Sequence, residues 1–108
     1  GNAYVYRFDI DPGAHAQELD YVFGWPGNGV SALYPEAPQT PLVSLLEATQ
    51  RYWTSFARGG DPNLGARTPW PRYEVDAPTL MALGDPPHSE SELEDDPACA
   101  LWKPIYAR

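Results

Sequence analysis

His15 is the residue of this sequence whose type and position best suit chemistry. It follows a run of strand-forming residues and a turn at residues 11–13. An imidazole titrates near neutral pH, so it can accept a proton and give it back, and α/β proteins place such groups on loops at the carboxyl ends of strands. Glu18, three residues later, is more typical of a helix start or a structural carboxylate than of an acid acting with His15. On these residues alone, a surface or half-buried loop histidine remains the more common interpretation.

Two elements must position His15. Residues 3–10 predict a strand, because aromatic and β-branched residues alternate there with Arg7 and Asp9. Residues 15–23 predict a short helix from apolar residues spaced three or four apart. The strand has no hairpin partner nearby in the sequence, and an unpaired strand leaves its backbone N–H and C=O groups without partners. We therefore expect the strands that pair with it to lie outside this chain.

The strongest helical pattern begins at Pro41, with Thr40 as its predicted cap, and ends at Gly59 and Gly60. Its predicted apolar face is Leu42, Leu45, Leu46, Thr49, Trp53 and Phe56. Short strands are predicted over residues 70–75 and 79–83. Residues 85–96 predict a solvated loop that holds His88. A last helix is predicted from Pro97, with apolar positions at Cys99, Leu101, Trp102 and Ile105.

The composition excludes several kinds of partner. Seven Lys and Arg stand against fifteen Asp and Glu, which gives a net charge of −8. Nucleic acids and anionic membrane surfaces need basic residues, so no nucleic-acid or membrane partner is expected. The single cysteine excludes an internal disulfide framework and a cysteine-based zinc site. We expect no cofactor and no metal.

Four segments of the chain, in this order, carry a family pattern: residues 13–24, 52–63, 70–73 and 99–102. The first resembles the histidine segment of the type-B carboxylesterase and cholinesterase family, roughly H-x-x-E-[IL]-x-[YF]-V-F-G. The second is similar to the family's Y-W-x-x-F-A-[KR]-x-G-[DN]-P-N block. The last two match W-P-x-[YF] and C-x-[FL]-W. One difference is that many members keep a residue between Gly-Ala and the histidine, whereas His15 follows Ala14 directly.

The resemblance implies an α/β fold in which residues 1–108 are the C-terminal portion of a single α/β-hydrolase domain: last sheet strand, histidine loop, long helix, two short strands and terminal helix. It also implies that His15 is the catalytic general base and then acid of a serine carboxylesterase. The nearest G-x-S-x-G candidate, at residues 29–33, has Leu33 in a glycine position and follows His15, and no serine precedes His15. We therefore predict that the chain is inactive alone. The serine, the triad acid and the oxyanion loop would come from its partner, the N-terminal remainder of the hydrolase domain, and a small ester would be the substrate.

Some alternatives stay open. The chain could be a non-catalytic cholinesterase-like module or a stand-alone acidic interaction module, although His15 in an intact local motif favours the esterase. Cys99 would be a buried free thiol or, as in some secreted relatives, bonded to an upstream cysteine. Trp25 and Tyr34 could line an acyl or alcohol pocket, but packing is the preferred interpretation. Six Arg to one Lys and thirteen Pro indicate a bacterial source, with a cytoplasmic or a secreted location equally open.

Overall fold

The computed structural model of the protein describes residues 1–91 together with Pro97, Leu101 and Pro104. Its elements in chain order are β1 (Tyr6–Phe8), α1 (Leu19–Phe23), a 3₁₀ helix (Val30–Leu33), α2 (Val43–Gly59), β2 (Leu80–Leu83) and β3 (His88–Glu90). The predicted positions Cys99, Trp102 and Ile105 of the last helix lie outside the described residues. No described helix is long and apolar enough to cross a membrane.

The three strands form one sheet in the order β1-β2-β3. β1 runs parallel to β2, with Tyr6 opposite Met81, and β2 runs antiparallel to β3, with Ala82 opposite His88. All four residues of β2 are buried, as expected for a central strand. The expectation that the partners of β1 lie outside this chain is therefore wrong for one of its edges, which β2 occupies. At the other edge residues 1–91 contribute no strand.

The side chains of β1 alternate between two faces of the sheet, which we call the charged face and the aromatic face. On the charged face, Arg7 Nε donates to Asp9 Oδ1 at 2.6 Å and Arg7 Nη2 donates to Glu90 Oε2 at 2.8 Å. On the aromatic face, the ring of Tyr6 meets that of Trp53 edge-on, with centroids 5.2 Å apart. The predicted alternation of residues along this strand is thus confirmed.

α2 buries part of its predicted face, since Leu45 and Thr49 are 0% and 1% exposed, but the buried face is shifted around the helix. Tyr52 is 1% exposed and its hydroxyl donates to the Thr68 carbonyl at 2.6 Å, whereas Phe56 is 49% exposed. The buried core consists of Ile10, Tyr21, Leu45, Tyr52, Trp70, Met81 and Leu83. The predicted end of the helix is confirmed, since Gly60 caps it with φ +72°. Its start is not: Leu42 is the N-cap, without a side-chain hydrogen bond, instead of Thr40.

Two predicted elements are replaced by other structure. Residues 70–75 form only an isolated bridge at Glu74. At the start of this segment the side-chain amide of Asn63 binds both the N–H and the C=O of Trp70, at 2.6 and 2.9 Å. Those backbone groups would have been needed for a strand. The described part of the predicted solvated loop, residues 85–91, contains β3, since the second edge of β2 offers partners to residues 88–90, and residues 92–96 lie outside the described residues. His88 therefore lies in a strand, and its side chain is still 54% exposed.

The connection between α1 and the 3₁₀ helix depends on Asp20. Its side chain is 2% exposed, and its two carboxylate oxygens accept the N–H groups of Val30 and Ser31 at 2.8 and 2.7 Å. These bonds satisfy two N–H groups that a helix start leaves open. A Cβ atom at Gly29 would overlap Asp20 Oδ1, so only glycine fits beside the carboxylate.

We predict that Gly29→Ala destabilises the protein. The added methyl group displaces a buried carboxylate from two charge-assisted hydrogen bonds, which should lower the free energy of unfolding by about 2 kcal/mol or more. Thermal unfolding measures the effect. Gly59→Ala is the matched control, because the nearest atom to its Cβ would be Leu64 Cδ1 at 4.0 Å, and it should change stability by less than about 1 kcal/mol. Equal melting temperatures for the two variants would contradict the steric argument.

A second prediction concerns His88 on the charged face. Its ring nitrogens lie 3.2 Å from the Pro86 carbonyl and 2.7 Å from Glu90 Oε1. These two acceptors favour the doubly protonated ring and raise the pKa of His88. A raised folded-state pKa means that the imidazolium adds stability below the usual histidine pKa of about 6.5, and that this is lost as pH rises through the folded value.

We therefore expect His88→Gln to cost more stability at low pH than at high pH. Melting temperatures of the wild type and the variant at about pH 5.5 and pH 9 supply the comparison, since glutamine does not titrate in this range. A difference between the two proteins that is the same at both pH values would show that the imidazolium makes no contribution.

Candidate active site

His15 lies on a loop at the carboxyl end of β1. The chain leaves the sheet at Ile10, which is 8% exposed, and turns at Gly13, whose φ is +69° and whose N–H donates to the Ile10 carbonyl at 2.8 Å. Two residues later the His15 side chain is exposed to solvent. It makes no hydrogen bond or ion pair with any residue that the structure describes. Within the described residues its ring therefore has no partner that a group presented from elsewhere would have to displace.

The backbone around His15 is held by Gln17. This side chain is 0% exposed, its Oε1 accepts the Ala14 N–H at 2.9 Å, and its Nε2 donates to the Asp11 carbonyl at 2.9 Å. Between His15 and Gln17, Ala16 has the left-handed value φ +63°. This turn explains why the predicted helix over residues 15–23 begins only at Leu19. Sequence reasoning missed Gln17, because no spacing rule distinguishes a buried glutamine in a turn from an exposed one.

The nearby carboxylates have other partners. Arg7 binds Asp9, and this hydrogen bond lowers the pKa of the Asp9 carboxyl below its usual value. Glu18 precedes α1, and its Oε1 accepts the hydroxyl of Tyr6 at 3.5 Å. Burial and, after it, the charge of Glu18 raise the pKa of Tyr6. Neither acid is bonded to His15, which agrees with the structural role predicted for Glu18.

The serine closest to a nucleophile pattern is not placed for catalysis. Ser31 is 1% exposed and sits inside the 3₁₀ helix, where its N–H is bound to Asp20. A nucleophile elbow instead presents its serine at the top of a strand-to-helix turn. The predicted exclusion of residues 29–33 as an elbow is consistent with this geometry. No group of three or more His, Cys, Asp or Glu in the described part of the chain could hold a metal ion.

The two aromatic residues considered for a pocket are not brought together. Trp25 is 61% exposed and stacks on Phe23 with ring centroids 5.7 Å apart. Tyr34 is half-buried after the 3₁₀ helix, where its N–H donates to the Ser31 carbonyl at 3.1 Å. For Trp25 the described residues provide the stacking contact with Phe23 and leave most of the side chain on the surface, so the choice between packing and a pocket stays a prediction.

The arrangement can transfer protons but cannot supply a nucleophile from the described residues. An exposed imidazole on a braced loop can accept a proton from a hydroxyl group held against it and then donate it to a leaving group. It has no acid partner, serine or oxyanion donor within hydrogen-bond reach among residues 1–91. The geometry therefore matches one member of a catalytic set.

Comparison with known proteins places this loop in a family. The sequence model of the "Carboxylesterase family" matches residues 1–102. The chain is 32% identical to acetylcholinesterase of Gallus gallus over 114 residues, and 32% identical to liver carboxylesterase of Sus scrofa over 117 residues. These alignments cover 94% and 97% of this chain but only 14% and 19% of those relatives.

A solved structure gives the same result. The crystal structure of a carboxylesterase from Geobacillus stearothermophilus superposes on 92% of this chain and 22% of its own, with a TM-score of 0.72 and 26% sequence identity. The chain thus spans about a fifth or less of the length of these relatives. The small mixed sheet with its flanking helices is part of an α/β-hydrolase fold, and the predicted fold class is confirmed. With a family match over nearly its whole length, the chain belongs to the carboxylesterase family of ester hydrolases.

Proposed function

We propose that the chain is the C-terminal, histidine-bearing portion of a serine carboxylesterase that hydrolyses carboxylic esters, with His15 as its general base and acid. The observation that carries the proposal is the exposed His15 ring, without a partner among the described residues, on a loop braced by Gln17 at the carboxyl end of a parallel strand. Open α/β sheets bind their ligands at the carboxyl ends of their strands. Family membership supplies the reaction class.

In the proposed reaction His15 moves one proton in each of two steps. Unprotonated His15 takes the hydroxyl proton of the serine as the serine oxygen attacks the ester carbonyl, and it returns that proton to the departing alcohol. Water then attacks the acyl-serine ester. His15 takes the proton of this water and gives it back to the serine oxygen, which restores the starting state. The serine, the triad acid and the oxyanion donors come from the N-terminal remainder of the domain.

The open edge of β1 supports this partner. Backbone groups of alternate residues face β2: the Val5 carbonyl accepts the Met81 N–H at 2.9 Å, and the Asp9 N–H donates to the Leu83 carbonyl at 3.1 Å. The backbone groups of Tyr6 and Phe8 consequently face the other side, where residues 1–91 provide no strand. We infer that a strand of the remainder pairs there, because the unpaired N–H and C=O groups of an edge strand can bond to another strand.

An apolar groove on the aromatic face of β1 supports the same partner. It has a volume of about 360 Å³ and is lined mainly by aromatic residues, among them Tyr4, Tyr6, Trp53, Phe56 and Trp70. The radius of gyration of 15.1 Å also exceeds the roughly 13 Å of a compact domain of this length. Both features are expected of a part that is completed by more chain.

A non-catalytic interaction module is the alternative. Leu33 and Val75 are 75% and 80% exposed, and exposed apolar side chains would suit a binding partner as well as the rest of a hydrolase domain. The bacterial source also stays a prediction. The two experiments below separate the esterase from the interaction module.

We predict that the 108-residue chain alone has no esterase activity, because no serine is positioned against His15. Hydrolysis of p-nitrophenyl acetate by the purified chain should not exceed that of free imidazole at equal concentration. Addition of the N-terminal remainder should restore turnover that a serine-directed phosphonate abolishes. Phosphonate-sensitive turnover by the chain alone would refute the missing-nucleophile argument, and a phosphonate-insensitive, inactive complex would favour the interaction module.

We further predict that His15→Ala in the completed esterase lowers kcat by about 10³-fold or more, since the serine hydroxyl loses its base. His15 lies on a loop and belongs to no part of the buried core, so stability should change by no more than about 1 kcal/mol. His88→Gln is the control, because His88 lies on the charged face of the sheet, and its rate should match the wild type. A His15→Ala enzyme within tenfold of the wild-type rate would defeat the assignment.

A further inference from the structure

We propose that Gln17 is a positioning residue: it holds the backbone of the loop and so fixes the direction in which the His15 side chain points. The inference rests on the proposed role of His15 and assigns the residue that would set its geometry. Glu18, the acid three residues after His15, accepts a hydrogen bond from Tyr6 and does not contact the backbone that precedes His15. The carboxamide of Gln17 is the side chain that contacts the backbone on the amino-terminal side of His15.

The main chain and the side chain of Gln17 together form a hydrogen-bonded bracket around His15. Its main chain lies two residues after His15, while its side chain turns back to bind the Ala14 N–H and the Asp11 carbonyl, both at 2.9 Å. Its own N–H also donates to the Ala14 carbonyl at 3.1 Å. The amino-terminal end of the segment that carries His15 is therefore tied to the fully buried residue at its carboxyl-terminal end.

The segment needs this bracket because its backbone is not in a relaxed conformation. Ala16, directly after His15, has φ +63°, a value that residues with a Cβ rarely adopt. Such a residue persists where its surroundings hold it. Here the carboxamide bonds on one side and the bond from the Leu19 N–H to the Ala16 carbonyl at 3.1 Å on the other supply that restraint.

Backbone restraint matters for His15 because the loop sets where the ring can meet the serine and the triad acid of the remainder, and none of the described side chains orients the ring. A general base must lie within hydrogen-bond reach of the proton that it takes. A displacement of about 1 Å can reduce turnover by about 10²-fold. Substrate binding by other parts of the enzyme would not depend on this loop, so the loss should appear in kcat and not in KM.

The test uses the completed esterase with Gln17→Leu, which keeps the side chain's bulk and removes both hydrogen bonds. We expect kcat to fall by about 10- to 100-fold, with KM changed by less than about threefold, at a temperature well below the melting transition. Titration of active sites with a serine-directed phosphonate corrects for unfolded enzyme. Unchanged kcat per active site would overturn the proposal.

Gln17→Glu provides a second variant, in case Gln17→Leu does not fold. When ionised, the introduced carboxylate can still accept the Ala14 N–H but repels the Asp11 carbonyl. When protonated, it can make both bonds. Burial raises the pKa of a carboxyl group. The kcat of the Gln17→Glu enzyme, divided by that of the wild type, should therefore rise as the pH is lowered from about 8 to about 6. A ratio that does not change with pH would contradict the bracket.

Asn63→Leu is the matched control, because Asn63 uses the same carboxamide bonds to hold another loop, at the backbone of Trp70. It should lower the melting temperature and leave kcat per active site unchanged. An equal loss of kcat in both carboxamide variants would reduce Gln17 to a purely structural role. His15→Ala separates the two levels of argument: if that variant stays active, the proposed function fails, whereas an inactive His15→Ala beside a fully active Gln17→Leu refutes only the positioning role.

Discussion

The parallel pairing of β1 with β2 supports the rest of the structure. β1 lies near the start of the chain and β2 near its end, and Tyr6 stands opposite Met81 in their register. A strand needs partners for its backbone groups, so the segment that leads to His15 is placed only when the distant strand is present. β2 in turn is buried on both faces and holds β3 on its other edge. The loop that carries His15 thus depends on contacts that join the two ends of the described chain.

The two faces of the sheet at β1 provide different environments, one charged and one aromatic. Arg7 gathers Asp9 and Glu90 on one face, which offsets part of the local excess of acids in a chain of net charge −8. On the other face Tyr6 joins the aromatic groove against Trp53. The charged face is suited to water and the aromatic face to further protein. This asymmetry is why the proposed partner is expected beside the groove and along the open edge of β1.

Side chains bound to backbone take the place of regular structure in much of this chain. Thirteen Pro and nine Gly limit its helices and strands. Gln17, Asp20 and Asn63 each bind two backbone groups of a neighbouring loop. A polar side chain of this kind satisfies buried backbone groups and stops a loop from moving. In the His15 loop such bonds would convert a flexible segment into a defined support for a proton-transferring group.

Local patterns in the sequence predict the family, the α/β class, the alternation of Arg7 and Asp9 with aromatic residues in the first strand and the glycine end of α2. They also predict the position of His15 after a turn, because turn residues act over a few positions. The folded chain adds what these patterns do not show: β2 pairs with β1, β3 forms beside it, Tyr52 is buried instead of Phe56, and Gln17 binds the loop that carries His15. The physical reason is that pairing and burial depend on which distant backbone groups and surfaces remain available. A residue's neighbours in sequence do not show which of these distant groups and surfaces it will meet.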